Sequence, residues 1–229
     1  MINKTLIISA LTSLLLSTSA QAAEPFVLQP VTDNNNTTTP LVKFDDSTHY
    51  FIGLTGGSSN ISMTAGTVNG NNTTLINRFS SPDAAGFVGV DLGFYTAGGS
   101  GRIYYSWQKM SAQSDFDGIK AIETDVTLHL LNADYIFRAG QAINPFIGAH
   151  LGYMTADLKG QDYGSHSQSG QVLGVQAGVA WRISNHISAE MGLRVTATQG
   201  EDIKPWSSNK VASQIKSVST GYASVNYRF

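Results

Sequence analysis

The sequence predicts an all-β protein: an eight-stranded antiparallel up-and-down transmembrane β-barrel. Three observations predict this fold. Segments in which apolar and polar residues alternate are separated by clusters of Gly, Ser, Asn and Asp, which is typical of antiparallel strands joined by turns. No long apolar stretch follows the first residues, which excludes helical membrane spans. The polar faces of several strands combine glycine with charged or amide side chains, which suits the crowded interior of a small barrel.

The composition excludes several classes of function. Of the 229 residues, 41% are hydrophobic and only 13% are charged, and the formal net charge is -2. The 14 Lys and Arg residues are scattered singly, so the basic patch of a nucleic-acid-binding protein is missing. Cysteine is absent, which excludes disulfides, thiolate nucleophiles and Cys-based metal sites. We therefore expect no nucleic-acid partner.

The N-terminus has the features of a signal peptide. Lys4 supplies a positive charge, residues 6–16 read LIISALTSLLL, and Ala20-Gln21-Ala22 provides small residues for cleavage. We predict a signal peptide over residues 1–22, cut after Ala22 or alternatively after Ala23. No Cys follows, so a lipoprotein is excluded. An uncleaved anchor is the alternative, although the run is shorter than the ~20 residues that a membrane helix needs.

Eight strands are predicted in a barrel domain over residues 49–229, after a polar lead-in over residues 23–48. The predicted strands are approximately His49–Ser58, Ala85–Tyr95, Arg102–Gln108, Ile122–Phe137, Pro145–Met154, Gln171–Arg182, His186–Thr198 and Ser217–Phe229. Tight turns near Ala97, Ala139 and Ser184 alternate with longer polar loops, which are approximately 60–83, 111–121, 155–169 and 199–214. In outer-membrane barrels the short turns face the periplasm and the long loops face outward. A secreted or periplasmic β-sandwich is the alternative, but glycines on the polar faces and aromatic residues near strand ends favour the barrel.

The final strand and two internal segments carry a family resemblance. The chain ends in GYASVNYRF, strand five begins with PFIG at Pro145, and strand four ends in LNADYIF from Leu131. Over residues 49–229 the pattern resembles the small outer-membrane β-barrel superfamily that includes opacity-type porins, OmpX, OmpW and the OmpA membrane domain. The resemblance implies a monomer in the outer membrane of a Gram-negative bacterium, with outer-membrane lipid and the insertion machinery as partners. It also implies that Val225, Tyr227 and Phe229 form the C-terminal insertion signal.

Inward charged residues predict a polar network in the lumen. The candidates are Asp91, Arg102, Gln176, Arg182, Glu190 and Arg194, with Asp125 or Glu123 as a further acid. Eight strands leave an interior that side chains can fill, and unpaired charges there would be costly, so we expect paired charges and no open pore. A proton or ion path is the alternative. The inward faces are interpreted as mostly polar, which disfavours entry of a hydrophobic solute.

The preferred function hypothesis is display of surface loops, for adhesion to a host-cell or matrix surface or for an envelope structural role. Candidate loop contacts are Leu75, Ile76 and Phe79 in the first loop and Trp206 in the fourth. Packing within the loops or against lipid headgroups is the alternative for these residues. The second hypothesis is a narrow channel for ions or small hydrophobic solutes, as in OmpW.

A lipid-modifying enzyme is the third hypothesis. It would need a nucleophile, a base and an orienting group within hydrogen-bond reach. Of the five histidines, His129 and His150 lie inside predicted strands, but no motif around them matches such a constellation. We therefore predict that the protein is not an enzyme, with no catalytic residues, no cofactor and no metal site.

Overall fold

The computed structural model describes residues 49–69, 72–80, 85–116, 119–160, 164–199, 204–205 and 211–229. Side chains are described for 49–63, 85–112, 123–159, 165–199 and 214–229. The predicted signal peptide, the lead-in and Trp206 lie outside the described residues. Within the described ranges, no helix is long and apolar enough to cross a membrane.

The described residues form ten strands. They are β1 (His49–Asn69), β2 (Asn72–Ser80), β3 (Ala85–Tyr95), β4 (Gly101–Phe116), β5 (Ile119–Ile136), β6 (Ile143–Gly160), β7 (Gly164–Arg182), β8 (Ile187–Gln199), β9 (Lys204–Pro205) and β10 (Val211–Arg228). Eight of them form the wall in sequence order, while β2 and β9 extend the sheet beside β1 and β10. Because β1 pairs antiparallel with both β3 and β10, the sheet closes on itself. The predicted eight-stranded antiparallel barrel is confirmed.

Three tight turns lie at one end of the barrel, which we call the turn end. They span residues 96–100, 137–142 and 183–186. Gly98 and Gly99 adopt φ values of 84° and 67°, a backbone conformation that glycine accepts without steric cost. Both ends of the barrel domain lie here too, since His49 pairs with Tyr95 and Tyr227 pairs with Ile187.

At the opposite end most strands run further than the sequence predicted. Strand β1 continues to Asn69, β6 continues to Gly160, and β7 begins at Gly164. The prediction of long loops over 60–83, 111–121 and 155–169 is therefore wrong for most of their length. The physical reason is visible in residues 154–159, where Met, Ala and Leu face inward and alternate with outward Thr, Asp and Lys. This is a strand pattern whose polar members were mistaken for loop residues.

Candidate functional site

Exposed apolar side chains form a belt around the barrel, beginning at the turn end. On β6 the belt runs from Ile143 to Tyr153, and on β8 it runs from Ile187 to Val195. Aromatic residues border it on both sides: Tyr50, Tyr135, Phe137, Trp181, Tyr227 and Phe229 toward the turn end, and Tyr105, Trp107 and Tyr153 on the other border. An apolar belt between two aromatic girdles marks the level at which a barrel crosses a membrane.

The barrel is taller than this belt. Strand β6 has 18 residues, whereas a tilted strand needs about 9–11 to span the hydrocarbon core. We call the part within the belt the membrane section and the part beyond it the outer section. The outer section comprises β2, β9, β1 after Gly56, β3 before Val88, β4 after Trp107, β5 before Leu131, β6 after Tyr153, β7 before Leu173, β8 after Val195 and β10 before Gly221.

Among the described residues, seven charged side chains are buried inside the membrane section. They are Asp91, Arg102, Asp134, Arg182, Glu190, Arg194 and Arg228. No charged side chain is buried inside the outer section, as far as its side chains are described. The lumen charges are thus confined to the level where the outside of the barrel meets lipid.

Arg102 is the centre of the lumen network. Its Nε and Nη2 atoms donate to Asp134 Oδ2 at 3.1 and 2.6 Å. Its Nη1 atom donates to Glu190 Oε1 and to the Tyr95 hydroxyl, the latter at 3.3 Å. The guanidinium carbon also lies 4.7 Å from the ring centre of Tyr104, a cation–π contact. One arginine on β4 therefore joins the carboxylates of β5 and β8 across the interior.

Amide side chains extend this network to two further strands. Gln176 Nε2 donates to Asp134 Oδ1 at 2.5 Å, and its Oε1 accepts from Arg194 Nε at 2.8 Å. Asn226 Nδ2 donates to Glu190 Oε1 at 2.7 Å. Space is tight enough that a Cβ at Gly148 would collide with Asp134, which explains a glycine on the inward face there. The network stabilises the lumen by satisfying charges that water cannot reach.

A second, smaller polar group lies beside the first. The Ser106 hydroxyl donates to Asp91 Oδ1 at 2.5 Å, and Asn132 Nδ2 donates to Ser106 Oγ at 3.0 Å. His150 Nε2 lies 3.0 Å from Thr196 Oγ1. His129 faces outward, with its Nδ1 2.6 Å from the Tyr105 hydroxyl. The two strand histidines thus lie on opposite sides of the wall, and the described residues contain no group of three or more His, Asp or Glu that could hold a metal.

The interior of the outer section is mostly apolar, although the uncharged polar side chains of Ser59, Gln108, Thr124, Thr196, Gln214 and Thr220 are also buried there. Its apolar members include Ile61, Met110, Val126, Leu128, Met154, Leu158, Val172, Ile215 and Val218, all at most 2% exposed. The prediction of mostly polar inward faces is therefore wrong for this section. The reason is that water surrounds the outer section, so that burial of apolar side chains has to drive its packing from within.

The outward face of the outer section is polar. It carries Ser58, Asn60, Lys109, Ser111, Glu123, Asp125, Thr127, Thr155, Asp157, Lys159, Ser165, Ser167 and Ser169. Asp125 and Asp157 pair directly across β5 and β6, and each accepts a hydrogen bond from a serine of the next strand, at 2.5 and 2.6 Å. Glu123 and Asp125 therefore face solvent, and the prediction that one of them joins the lumen network is wrong.

The six lumen residues predicted from the sequence all lie inside the membrane section, but they do not all belong to one network. Arg102, Gln176, Glu190 and Arg194 meet in one network through Asp134. Asp91 instead accepts from Ser106, and Arg182 lies near the turn end. Sequence reasoning missed Asp134, Asn132, Ser106, Tyr104 and Asn226. Outward Tyr135 was the available signal for Asp134, because adjacent residues of a strand face opposite sides of the sheet.

The other predicted residues are placed as follows. Val225 and Tyr227 face outward on β10 and Phe229 directly follows this strand; the three side chains are 58%, 50% and 63% exposed. Leu75, Ile76 and Phe79 belong to β2, but their side chains lie outside the described ones.

A closed barrel with an apolar belt, aromatic girdles and a charged, filled lumen has the architecture of small outer-membrane β-barrels. Solved structures of such proteins share the fold. The outer membrane protein OprG from Pseudomonas aeruginosa matches with a TM-score of 0.57 and 14% identity, covering 81% of this chain and 98% of its own. Neisserial surface protein A matches with a TM-score of 0.52 and 13% identity, covering 79% and 97%. No family model matches the sequence, and no curated protein is significantly similar to it. The likeness shows the fold.

Proposed function

We propose that the protein is an outer-membrane barrel of a Gram-negative bacterium that holds a rigid β-structured surface outside the cell for contact with host cells, matrix or other bacteria. The reversal of polarity between the two sections carries this proposal. A barrel that served only to cross the membrane would not need strands with their own apolar core beyond the belt. The outer section has that core, and it presents a polar sheet face to water.

The contact surface is a sheet rather than a set of loops. Strands β4 to β7 continue their ladders through the outer section, with Ser111, Asp125, Asp157 and Ser167 in one row across four strands. Side chains on packed strands are held more precisely than side chains on loops. We therefore expect recognition by this outward face, together with β2, which carries the predicted contacts Leu75, Ile76 and Phe79.

The lumen favours this function over a channel. Leu128, Leu130, Met154 and Leu158 fill the outer section and are 0–1% exposed, and the arginine network fills the membrane section. We expect no steady ion conductance in a planar bilayer. Regular conductance steps would favour the channel hypothesis instead.

The test is adhesion by cells that display the full chain. One variant replaces residues 156–168 with an Asn-Gly turn, which keeps the pairing of Thr155 with Ser169 and removes the tip of the β6–β7 hairpin. The matched control is Gln141→Ala in a turn at the opposite end. Heat-dependent electrophoretic mobility checks that each barrel is assembled.

The proposal expects adhesion to host cells or matrix by the intact chain and by the Gln141 control, and at least a tenfold loss for the shortened hairpin. Equal adhesion by an assembled, shortened barrel would place the contact elsewhere; the next variant would then combine Leu75→Ser, Ile76→Ser and Phe79→Ser, with Trp206→Ala made separately. If the intact chain adds no adhesion to cells that lack it, the proposed function is wrong.

A further inference from the structure

Two rows of outward side chains meet where the membrane section borders the outer section on β4, β5 and β6. Each row pairs directly across the three strands. The rows consist of Trp107, His129 and Tyr153 at the aromatic girdle and of Lys109, Thr127 and Thr155 one step further out. We call these six residues the border patch. The girdle and the first polar row beyond it thus form one continuous surface.

The border patch offers a positive charge and several hydrogen-bond donors. Lys109 is exposed, and none of the described carboxylates forms an ion pair with it. The Tyr105 hydroxyl lies 2.6 Å from Nδ1 of His129. A phenol that donates to Nδ1 keeps the imidazole proton on Nε2, so that Nε2 is a second donor. Thr127 and Thr155 add two hydroxyl groups beside these side chains.

Carboxylates are absent from both rows of the border patch and from the residues that continue these rows on β3 and β7. On β5 and β6 the first outward acids beyond the girdle are Asp125 and Asp157, in the next row, and each accepts a hydrogen bond from a serine. The outward face is therefore positive just beyond the girdle and becomes negative only further out. Because the girdle marks the edge of the hydrocarbon, the positive level coincides with the lipid headgroups.

We propose that the border patch binds the phosphorylated disaccharide headgroup of an outer-leaflet glycolipid of the lipid A type. Lys109 pairs with a phosphate, and Nε2 of His129 donates to the same headgroup. Trp107 and Tyr153 supply the amphipathic rings that suit this level of a membrane. A zwitterionic phospholipid would bring its own ammonium group against Lys109 and fits less well. The site rests on the outer-membrane location within the proposed function, but not on adhesion.

The first test measures binding of lipid A by native mass spectrometry. The full barrel protein in a non-ionic detergent is titrated with lipid A, with dephosphorylated lipid A and with phosphatidylcholine. We expect a complex that holds lipid A and neither of the other two lipids. Equal retention of dephosphorylated lipid A would overturn the proposal, because the phosphate would then not be recognised.

The second test removes the positive charge of the border patch. Lys109→Gln should weaken lipid A binding by about tenfold, since a charge-assisted hydrogen bond is lost. The matched control is Lys159→Gln, which removes the same charge from an exposed residue of β6 two rows further out and should bind lipid A like the wild type. Heat-dependent electrophoretic mobility checks that both variants are assembled. Equal affinities of the two assembled variants would contradict the proposed site.

A competition experiment separates the lipid from soluble phosphate compounds. Inorganic phosphate and glucosamine 1-phosphate are added in large excess over lipid A at constant ionic strength. We expect lipid A to stay bound, because its acyl chains also contact the apolar belt. Displacement by either compound would assign the patch to a soluble phosphate and overturn the proposal. Adhesion is measured separately, so that failure of this site and failure of the proposed contact surface give different results.

Discussion

The membrane section and the outer section are built from the same strands, but the polarity of their inward and outward faces is reversed. In the membrane section the outside is apolar, and seven of the described residues inside it are charged. In the outer section the outside is polar and the inside is mostly apolar and holds no buried charge among the side chains that the structure describes. The solvent explains the difference, because lipid surrounds the first section and water surrounds the second. A single continuous strand such as β5 is therefore stabilised by charge pairing over one half and by apolar burial over the other.

Pairs of adjacent apolar residues mark the boundary between the two sections in the sequence. The pairs are Phe87-Val88, Leu130-Leu131, Tyr153-Met154 and Val172-Leu173. In each pair one side chain faces inward and the other faces outward. Since neighbouring residues of a strand point to opposite sides, an apolar pair is where the apolar face changes sides.

The largest expected effect concerns the charge network of the membrane section. Asp134→Ala removes the carboxylate that accepts two hydrogen bonds from Arg102. The buried guanidinium group of Arg102 then loses a negatively charged partner. We expect a loss of about 3–5 kcal/mol in the free energy of unfolding. Asp125→Ala, on the same strand but outward in the outer section, should change the free energy of unfolding by less than about 1 kcal/mol in either direction. Equal losses in the free energy of unfolding, measured with urea for both variants, would contradict the distinction between the two sections.

The next effect concerns the apolar core of the outer section. Leu128 is 1% exposed and packs inside that section, so Leu128→Ala should cost about 2–5 kcal/mol through lost burial and a cavity. The matched control is Thr127→Ala, an outward neighbour on β5, which should change stability by about 0.5 kcal/mol or less. A small effect of Leu128→Ala would mean that the outer section has no packed core.

A similar contrast is expected for positive charge on the outside of the barrel. Met191 lies in the middle of the belt on β8 and is 67% exposed, so Met191→Arg should cost about 2–4 kcal/mol in lipid vesicles. Thr155→Arg places the same side chain just beyond the belt, where it should be tolerated. If both variants fold equally well in vesicles, the belt has been assigned to the wrong level.

The smallest effect concerns the outward acids. Asp125 and Asp157 are direct cross-strand partners, and like charges in this arrangement destabilise a sheet. Asp157→Asn should therefore raise the free energy of unfolding by about 0.2–1 kcal/mol at low salt. Any weakening of the hydrogen bond that Ser167 donates to this side chain would reduce the gain. The gain should shrink at high salt, since these exposed charges are screened. A gain that is independent of salt would point to a cause other than charge repulsion.

The sequence predicted most of the membrane section and little of the outer section. The predicted bounds of β3, Ala85–Tyr95, agree with the structure because glycine and aspartate alternate there with large apolar residues. Strand β5 was harder, since its apolar face changes sides at Leu130-Leu131 and a single period-2 pattern cannot describe it. For that reason the prediction of an inward Asp125 or Glu123 is wrong, and Asp134 was missed. The contact of Arg228 with the Tyr95 ring depends on the closure of β10 against β1, a long-range contact that no local pattern encodes.

The most direct test of the reversal is spin labelling along one strand. The chain contains no cysteine, so single cysteines can be placed at Leu151, Asp157 and Leu158 of β6 without other changes. Collisions with oxygen and with a water-soluble nickel complex then report lipid or water around each label in vesicles. We predict that the label at 151 is in lipid, the label at 157 is in water, and the label at 158 is shielded from both reagents. A label at 157 in lipid, or a label at 158 freely reached by the nickel complex, would contradict it.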